Sequence, residues 1–264
     1  MNPRLPVLFL SHGSPMHAIQ PSAAADAWAQ IAKDLPRPQA VLMVSAHWDS
    51  GLPLLGGSPQ PETIYDFGGF PDELYRIRYA APGAPDVAQV AQALLRDAGF
   101  TAGIDGCRGL DHGAWIPMLK MYPQADVPVL QLSVQPALGA AHHHALGQAL
   151  ASLRDAGVLI VASGHMTHNL RDAFAGMRAG GNLPVATYAS EFRDWVDARV
   201  HGGQIDELLQ WETRAPQARR AHPTPEHFLP LFVALGAAGA GYQVESLCAG
   251  YDFGVLAMDA YRFD

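Results

Sequence analysis

Short, continuous apolar segments of strand length recur along the chain. They cover residues 7–10, 40–44, 129–134 and 158–162, and each is bounded by polar or turn residues. Apolar runs of this length, without polar alternation, are typical of strands that are buried on both faces of a parallel or mixed sheet.

The segments between these runs carry helical periodicity. Residues 23–35, 84–100 and 142–157 are amphipathic, and the last two contain Asp-Ala-Gly near their ends. A glycine after the last periodic residue is a common helix stop. The repeated order of helix, glycine stop and strand predicts an α/β fold, and no linker interrupts it. We therefore expect a single domain over residues 1–264, with a largely buried sheet flanked by helices.

Four further segments depart from this rhythm. Residues 50–83 are rich in glycine and proline, which predicts a long ordered loop of the kind that often carries function. The glycine-rich residues 171–183 predict a mobile surface loop. A helix is expected to open at Pro225 with Glu226 in its first turn. Residues 250–263 are expected to hold the last strand.

Composition narrows the classes of partner. The net charge is −8, only two lysines occur and no Lys/Arg block exists, which disfavours nucleic acid and anionic membranes as partners. The N-terminal apolar run is too short for a secretion signal, and no stretch is long enough to span a membrane, so we expect a cytoplasmic protein. Cys107 and Cys248 are expected to be reduced, buried thiols. A homodimer is possible.

Twelve histidines are the unusual feature of this composition. His12 and His47 each follow a predicted strand, and ligands of open α/β sheets bind beyond the carboxyl ends of the strands. His112 lies in an apparent turn, where it either pairs with Asp111 or donates a hydrogen bond to a ligand. His165 and His168 follow the fourth predicted strand, and spacing alone does not decide which of them faces the same cleft.

The histidines of the C-terminal third are expected in different environments. His222 is expected on the surface. His227 lies at the expected helix start, where the helix dipole favours the neutral imidazole that a metal needs. Glu226 is its competitor as a ligand, because adjacent helical residues point about 100° apart. The triplet 142–144 is expected to lie on a solvated helix face.

Together these placements predict a mononuclear metal site at the carboxyl ends of strands, completed by one ligand from a distant helix. Thiolates are absent from the pattern, which argues against a structural zinc knuckle. Imidazole-rich sites suit zinc, iron, copper or nickel. A hydrolytic zinc and a non-haem ferrous centre both remain open at this point.

Six separated motifs then point to one family. They are "FLSHGSPMHAI", "LPRPQAVLMVSAHW", "YDFGGFP", "DHGAW…LKMYP", "ASGHMTHNL" and "PTPEHFLPLFVALGA". They occur in order, and the resemblance that they carry extends over essentially the whole chain. The sequence resembles the DODA-type (4,5-DOPA dioxygenase-like) branch of the class III extradiol aromatic ring-opening dioxygenases. The resemblance implies a mixed central sheet, a non-haem Fe(II) centre that often holds zinc in purified proteins, and a catechol and O₂ as substrates.

Carried over by motif, the resemblance implies His12, His47 and His227 as metal ligands. It implies His168 as the acid/base residue and His112 as a donor to the developing oxyanion. His227 stands where the wider superfamily has a glutamate, so the site would keep the full metal charge. Asp66, Phe67 and Phe70 are expected to line the pocket. The alternatives are a zinc-dependent hydrolase on the same histidines and a non-catalytic metal-binding scaffold.

Overall fold

An eight-stranded mixed sheet forms the centre of the molecule. The structure, a computed structural model, describes residues 4–178, 180 and 183–264. The strand order is β4-β3-β5-β2-β6-β1-β10-β7. The sheet strands are β1 Val7–Ser11, β2 Ala40–Asp49, β3 Leu54–Gly56, β4 Gly103–Asp105, β5 Val129–Val134, β6 Val158–Gly164, β7 Val244–Cys248 and β10 Ala260–Phe263. Strands β8 Tyr251–Asp252 and β9 Leu256–Ala257 form a separate pair.

Helices cover both faces of this sheet. They are α1 Ala23–Asp34, α2 Pro85–Asp97, α3 His112–Met121, α4 Gly139–Leu150, α5 Leu170–Arg178, α6 Thr187–His201, α7 Ile205–Leu208, α8 Trp211–Arg214, α9 Ala218–Ala221 and α10 Leu229–Ala238. No helix in these described residues is long and apolar enough to cross a membrane. The α/β class and the mixed, helix-flanked sheet that the sequence predicts are confirmed.

The four apolar runs become the four parallel strands at the centre of the sheet. β2 pairs in parallel with β5 and β6, and β6 pairs in parallel with β1. In β2, Leu42 and Val44 belong to one apolar core and Val41 and Met43 to the other. A strand that contributes to two cores must be apolar at consecutive positions, which is the pattern seen in the sequence.

Helices α4 and α10 pack closely because glycines lie between them. A Cβ at Gly147 would lie 2.1 Å from the Val233 carbonyl oxygen, and one at Gly236 would lie 2.0 Å from the His144 carbonyl oxygen. Helix α10 is buried along nearly its whole length, which explains why its sequence is apolar without periodicity.

Several local predictions are wrong. Helix α10 begins at Leu229 rather than Pro225, and Pro230 lies in its first turn, where a missing N–H has no cost. Residues 171–178 are helical rather than a loop; of the remaining predicted loop, residues 179, 181 and 182 lie outside the described part. The two cysteines are free but not buried, since Cys107 is exposed and Cys248 half-buried.

Two histidine predictions also fail on burial. His222 is buried rather than exposed, and its Nε2 lies 2.9 Å from the Met166 carbonyl oxygen. Within the 142–144 triplet, His143 is fully buried between the Gly139 carbonyl and the Gln135 amide, so this helix face is only partly solvated. The loop 50–83 is largely irregular as expected, with β3 and the 3-10 helix Leu74–Arg76 as its regular parts.

Candidate metal centre

Three histidines from distant parts of the chain meet at the carboxyl ends of the central strands. His12 directly follows β1, and His47 lies in the last part of β2, which continues beyond the predicted strand to Asp49. His227 lies in a turn two residues before α10. The Nε2 atom of His47 lies 3.0 Å from that of His12 and 3.2 Å from that of His227.

The other nitrogen of each ring faces an oxygen. Ser163 Oγ lies 3.0 Å from His12 Nδ1 and donates its own proton to the Gly113 carbonyl, so it must accept from His12. Glu226 Oε1 lies 3.0 Å from His227 Nδ1. These contacts assign the proton to Nδ1 and leave the Nε2 lone pair free.

Asp66 lies behind His47 in a similar position. Its Oδ2 is 3.3 Å from His47 Nδ1, without the alignment of a hydrogen bond, and its negative charge favours a proton on that nitrogen. All three rings therefore turn their Nε2 lone pair toward one point. The Nε2 atoms are close enough for these lone pairs to repel one another. Such a constellation of neutral imidazole nitrogens fits a divalent cation, and an oxygen partner behind each ring is the usual support of a metal-binding histidine.

Electrostatics oppose a proton at that point. Burial first, and then the neighbouring histidines, lower the pKa of His12 and of His227 well below the ordinary value. Burial and His112 lower the pKa of His47 to about 4. The three rings are neutral at physiological pH, as metal ligation requires. The neutral state of His227 comes from burial and its neighbours, not from the helix start predicted from the sequence.

His168 lies against this trio. Its ring stacks on that of His227 with centroids 3.4 Å apart and planes 10° apart. Burial, and then neighbouring histidines led by His165, lower its pKa well below the ordinary value. His168, Glu226 and His227 also form a group whose donor atoms lie within 4.8 Å of one another. His168 is thus a neutral imidazole that lies directly against His227.

His112 lies against His47, with ring centroids 4.0 Å apart. It is the first residue of α3 rather than part of a turn. Asp66 Oδ1 accepts a hydrogen bond from the backbone amide of His112 at 2.9 Å. The same oxygen lies 3.0 Å from His112 Nδ1, although the His112 ring is not aligned for a hydrogen bond. Burial alone would raise the pKa of Asp66, but His112 and His47 lower it to about 2.

Asp111 does not pair with His112. It is fully buried and accepts from Ser45 at 2.6 Å, from Gln131 at 2.6 Å and from Arg108 at 2.8 Å. Ser45 Oγ in turn accepts from the His47 backbone amide at 3.2 Å. This network holds the end of β2, and hence His47, against the start of α3. This network is not visible in the sequence, because hydrogen-bonded partners within it lie up to 66 residues apart.

One cavity of about 240 Å³ joins these groups. All five predicted site residues line it, as do Asp66, Phe67 and Phe70 of the predicted pocket loop. His165 lines it too; it is fully buried, and neither ring nitrogen has a hydrogen-bond partner among the described residues. Both histidines of the "GHMTH" segment therefore face the cleft, a question that spacing left open. His222 and the 142–144 triplet do not line it.

Comparison with known proteins identifies the family of this chain. Residues 6–257 match the family model described as the catalytic LigB subunit of aromatic ring-opening dioxygenase. The chain belongs to this family. It is therefore an extradiol ring-cleaving dioxygenase, as the sequence resemblance implies.

Relatives of this LigB-family chain are similar over nearly their whole length. The 4,5-DOPA dioxygenase extradiol of Beta vulgaris is 43% identical over 97% of this chain and 95% of its own. The protein of the same name from Escherichia coli (strain K12) is 38% identical over 97% of this chain and 93% of its own. A crystal structure of an uncharacterized Escherichia coli K12 protein superposes with a TM-score of 0.83 at 33% identity, covering 99% of this chain and 100% of that chain.

Proposed function

We propose that this dioxygenase opens the ring of a catechol-type substrate with O₂, at a divalent metal held by His12, His47 and His227. The observation that carries the proposal is the convergence of three Nε2 lone pairs, each ring supported from behind by an oxygen. Fe(II) is the metal proposed for activity, and Zn(II) fits the same nitrogen ligands. When bound, the metal would supply Lewis-acid activation of the catechol and the route for electrons to O₂.

His168 is proposed as the acid/base residue. Its neutral ring lies in the cavity beside His227, where it can accept a proton from a catechol hydroxyl. The same imidazole can return that proton later in the reaction, when an oxygen atom of the opening ring carries negative charge. The stacked contact with His227 keeps the ring in place between these two steps.

His112 is proposed to stabilise the oxyanion that develops during ring opening. Asp66 Oδ1 accepts a hydrogen bond from the His112 backbone amide and lies 3.0 Å from His112 Nδ1, which leaves Nε2 as the ring nitrogen available to the cavity. Donation from Nε2 requires the ring to carry a proton on both nitrogens, and the Asp66 carboxylate beside Nδ1 favours that form. A donor fixed in a buried site is more effective than water, because it needs no reorientation as charge develops. Asp66 thus orients His47 and His112 together, one carboxylate oxygen to each.

The direct test is metal reconstitution followed by oxygen uptake. The metal-free protein is loaded anaerobically with Fe(II) or with Zn(II), mixed with a catechol, and exposed to air in an oxygen electrode with a visible spectrum recorded. We expect iron-dependent O₂ uptake with a yellow product, and no uptake with zinc. Equal activity with both metals, or none with either on any catechol, would contradict the assignment.

The ligand assignment needs a matched variant set. His12→Ala, His47→Ala and His227→Ala should each reduce the amount of bound metal. His222→Ala should retain it, because His222 is a buried histidine outside the cavity.

The cytoplasmic location and a homodimer stay predictions from the sequence.

A further inference from the structure

One histidine of the cavity has no part in the reaction proposed above. His165 lines the cavity together with the metal ligands. Its ring centroid lies 5.6 Å from that of His12 and 5.6 Å from that of His168. It is therefore a neighbour both of a metal ligand and of the proposed acid/base residue. Its own nitrogens belong to none of the groups that could hold a metal among the described residues, so a role as a further ligand is not indicated.

The backbone fixes the position of His165 relative to the metal centre. His165 directly follows Gly164, the last residue of β6. The Gly164 carbonyl accepts a hydrogen bond from the His12 amide at 3.1 Å. The His165 amide donates to the His227 carbonyl at 2.7 Å, and a Cβ on Gly164 would lie 2.2 Å from that carbonyl oxygen. The segment that carries His165 is thus bonded to the backbones of two metal ligands.

The ring of His165 is buried without a hydrogen-bond partner. Its exposed fraction is 1%, and neither ring nitrogen is bonded to any described residue. The Ala257 carbonyl lies near the ring, but it is not aligned to accept a hydrogen bond from it. Leaving a buried polar group unpaired is costly, and most such groups in folded proteins are paired. An apolar side chain would fill the same space without that cost.

Two buried histidines outside the cavity show what a structural role looks like in this chain. Both ring nitrogens of His143 contact backbone groups, at 2.7 Å and 3.0 Å. His222 Nε2 lies 2.9 Å from the Met166 carbonyl oxygen. His165 differs from both, because neither of its nitrogens is bonded and because its ring lines the cavity. This difference indicates that the partner of His165 is a molecule that binds in the cavity.

We propose that His165 is a substrate-binding residue whose ring N–H donates a hydrogen bond to an oxygen atom of the bound catechol. The inference rests on the proposed function, in which the catechol lies in this cavity. An imidazole carries at least one N–H donor in both its neutral and its protonated form. A catechol that has lost a hydroxyl proton presents a charged oxygen, which is a strong acceptor. The oxygen is present in the substrate and in the transition state, so loss of the contact should raise KM more than it lowers kcat.

Three substitutions at this position test the contact. His165→Phe keeps a planar ring but removes both nitrogens, whereas His165→Asn and His165→Gln each retain an N–H donor, at two different distances from the backbone. Binding of catechol to the Zn(II)-loaded protein is measured by calorimetry, and Zn(II) affinity by competition with a chromophoric chelator. We expect His165→Phe to weaken catechol binding by about tenfold or more, the effect of losing a hydrogen bond to a charged oxygen, with Zn(II) affinity unchanged. At least one of the two amide variants should retain part of this binding.

Steady-state kinetics of the Fe(II)-loaded protein give the second readout. In the oxygen electrode, His165→Phe should raise the KM for catechol by about tenfold while kcat changes little. His142→Phe is the matched control, because His142 is a half-buried histidine that does not line the cavity. It should have the KM and kcat of the wild type. Circular dichroism verifies that each variant is folded.

Catechol binding as tight in His165→Phe as in the wild type would overturn the proposal. An equal loss in all three variants would do the same, because the N–H would then not be the group that matters. A parallel loss of Zn(II) affinity would indicate a structural role instead. If the binding series follows the expected order but the iron-loaded protein consumes no O₂, the proposed reaction fails and the contact is retained. If O₂ is consumed but His165→Phe behaves as the wild type, the contact alone fails.

Discussion

Glu226 offers a sharp test of how the metal centre is supported. Its Oε1 accepts from His227 Nδ1 at 3.0 Å and from Thr224 Oγ1 at 2.9 Å, and its side chain is 24% exposed. Glu226→Ala removes the acceptor that fixes the ring of His227 with Nε2 toward His47. The metal ligand itself is untouched, so any loss of metal affinity reports on orientation.

Loss of an oxygen partner behind a metal-binding histidine typically costs 10- to 100-fold in affinity, or about 1.4–2.7 kcal/mol. The lower end applies here, because water can reach this partly exposed position and accept from Nδ1 in place of the carboxylate. We therefore expect Glu226→Ala to weaken Zn(II) binding by about tenfold. Glu226→Gln should lose less, since its amide oxygen can still accept from the ring.

The assay is competition for Zn(II) with a chromophoric chelator at pH 7, with circular dichroism to verify that each variant is folded. Glu212→Ala is the matched control, because Glu212 lies on α8 and does not line the metal cavity. Unchanged affinity in Glu226→Ala would refute the orienting role. A loss in Glu226→Gln as large as that in Glu226→Ala would show that charge, rather than the hydrogen bond, is what His227 needs.

Three further outcomes are expected. His168→Ala should lower turnover by about 10²–10⁴-fold in the oxygen electrode while metal content stays that of the wild type; normal turnover would exclude His168 as the acid/base residue. Burial lowers the pKa of His143 to about 4. The contribution of its neutral ring to the free energy of unfolding is therefore fully present above about pH 6.5 and is lost as the pH falls toward 4. Between pH 7 and pH 5 the urea-unfolding free energy should fall by about 2 kcal/mol more in the wild type than in His143→Gln, and equal slopes would contradict this linkage. Gly147→Ala should cost about 1–3 kcal/mol in the same assay because its Cβ meets the α10 backbone, whereas Gly51→Ala, with open space around it, should change little.

Much of this architecture was predictable because it depends on local pattern. The continuous apolar runs identified all four central strands, and β5 has the predicted bounds Val129–Val134. His12 and His47 were assigned to a site because residues that follow parallel strands share one edge of the sheet. The burial of His222 was not predictable, because the packing that covers it comes from side chains remote in sequence, such as Phe192.

The choice between neighbouring residues also needed the tertiary structure. Sequence spacing left Glu226 and His227 as competing ligands, and the fold turns His227 Nε2 toward His47 while Glu226 contacts the far side of the ring. Asp66 was expected only to line the pocket, yet it joins His47 to His112. Such pairings depend on loop paths and rotamers set by the whole core, which no local window contains.

The sequence by itself therefore determined the α/β class, the central strands, the family and the set of histidines that could form a site. Only the tertiary structure decided which nitrogen of each ring faces the centre and which oxygens stand behind these rings. The physical reason is that periodicity and motifs record short-range chemistry. Burial, tautomer and charge pairing arise from contacts between residues as far apart as His12 and Ser163, which lie 151 positions from each other.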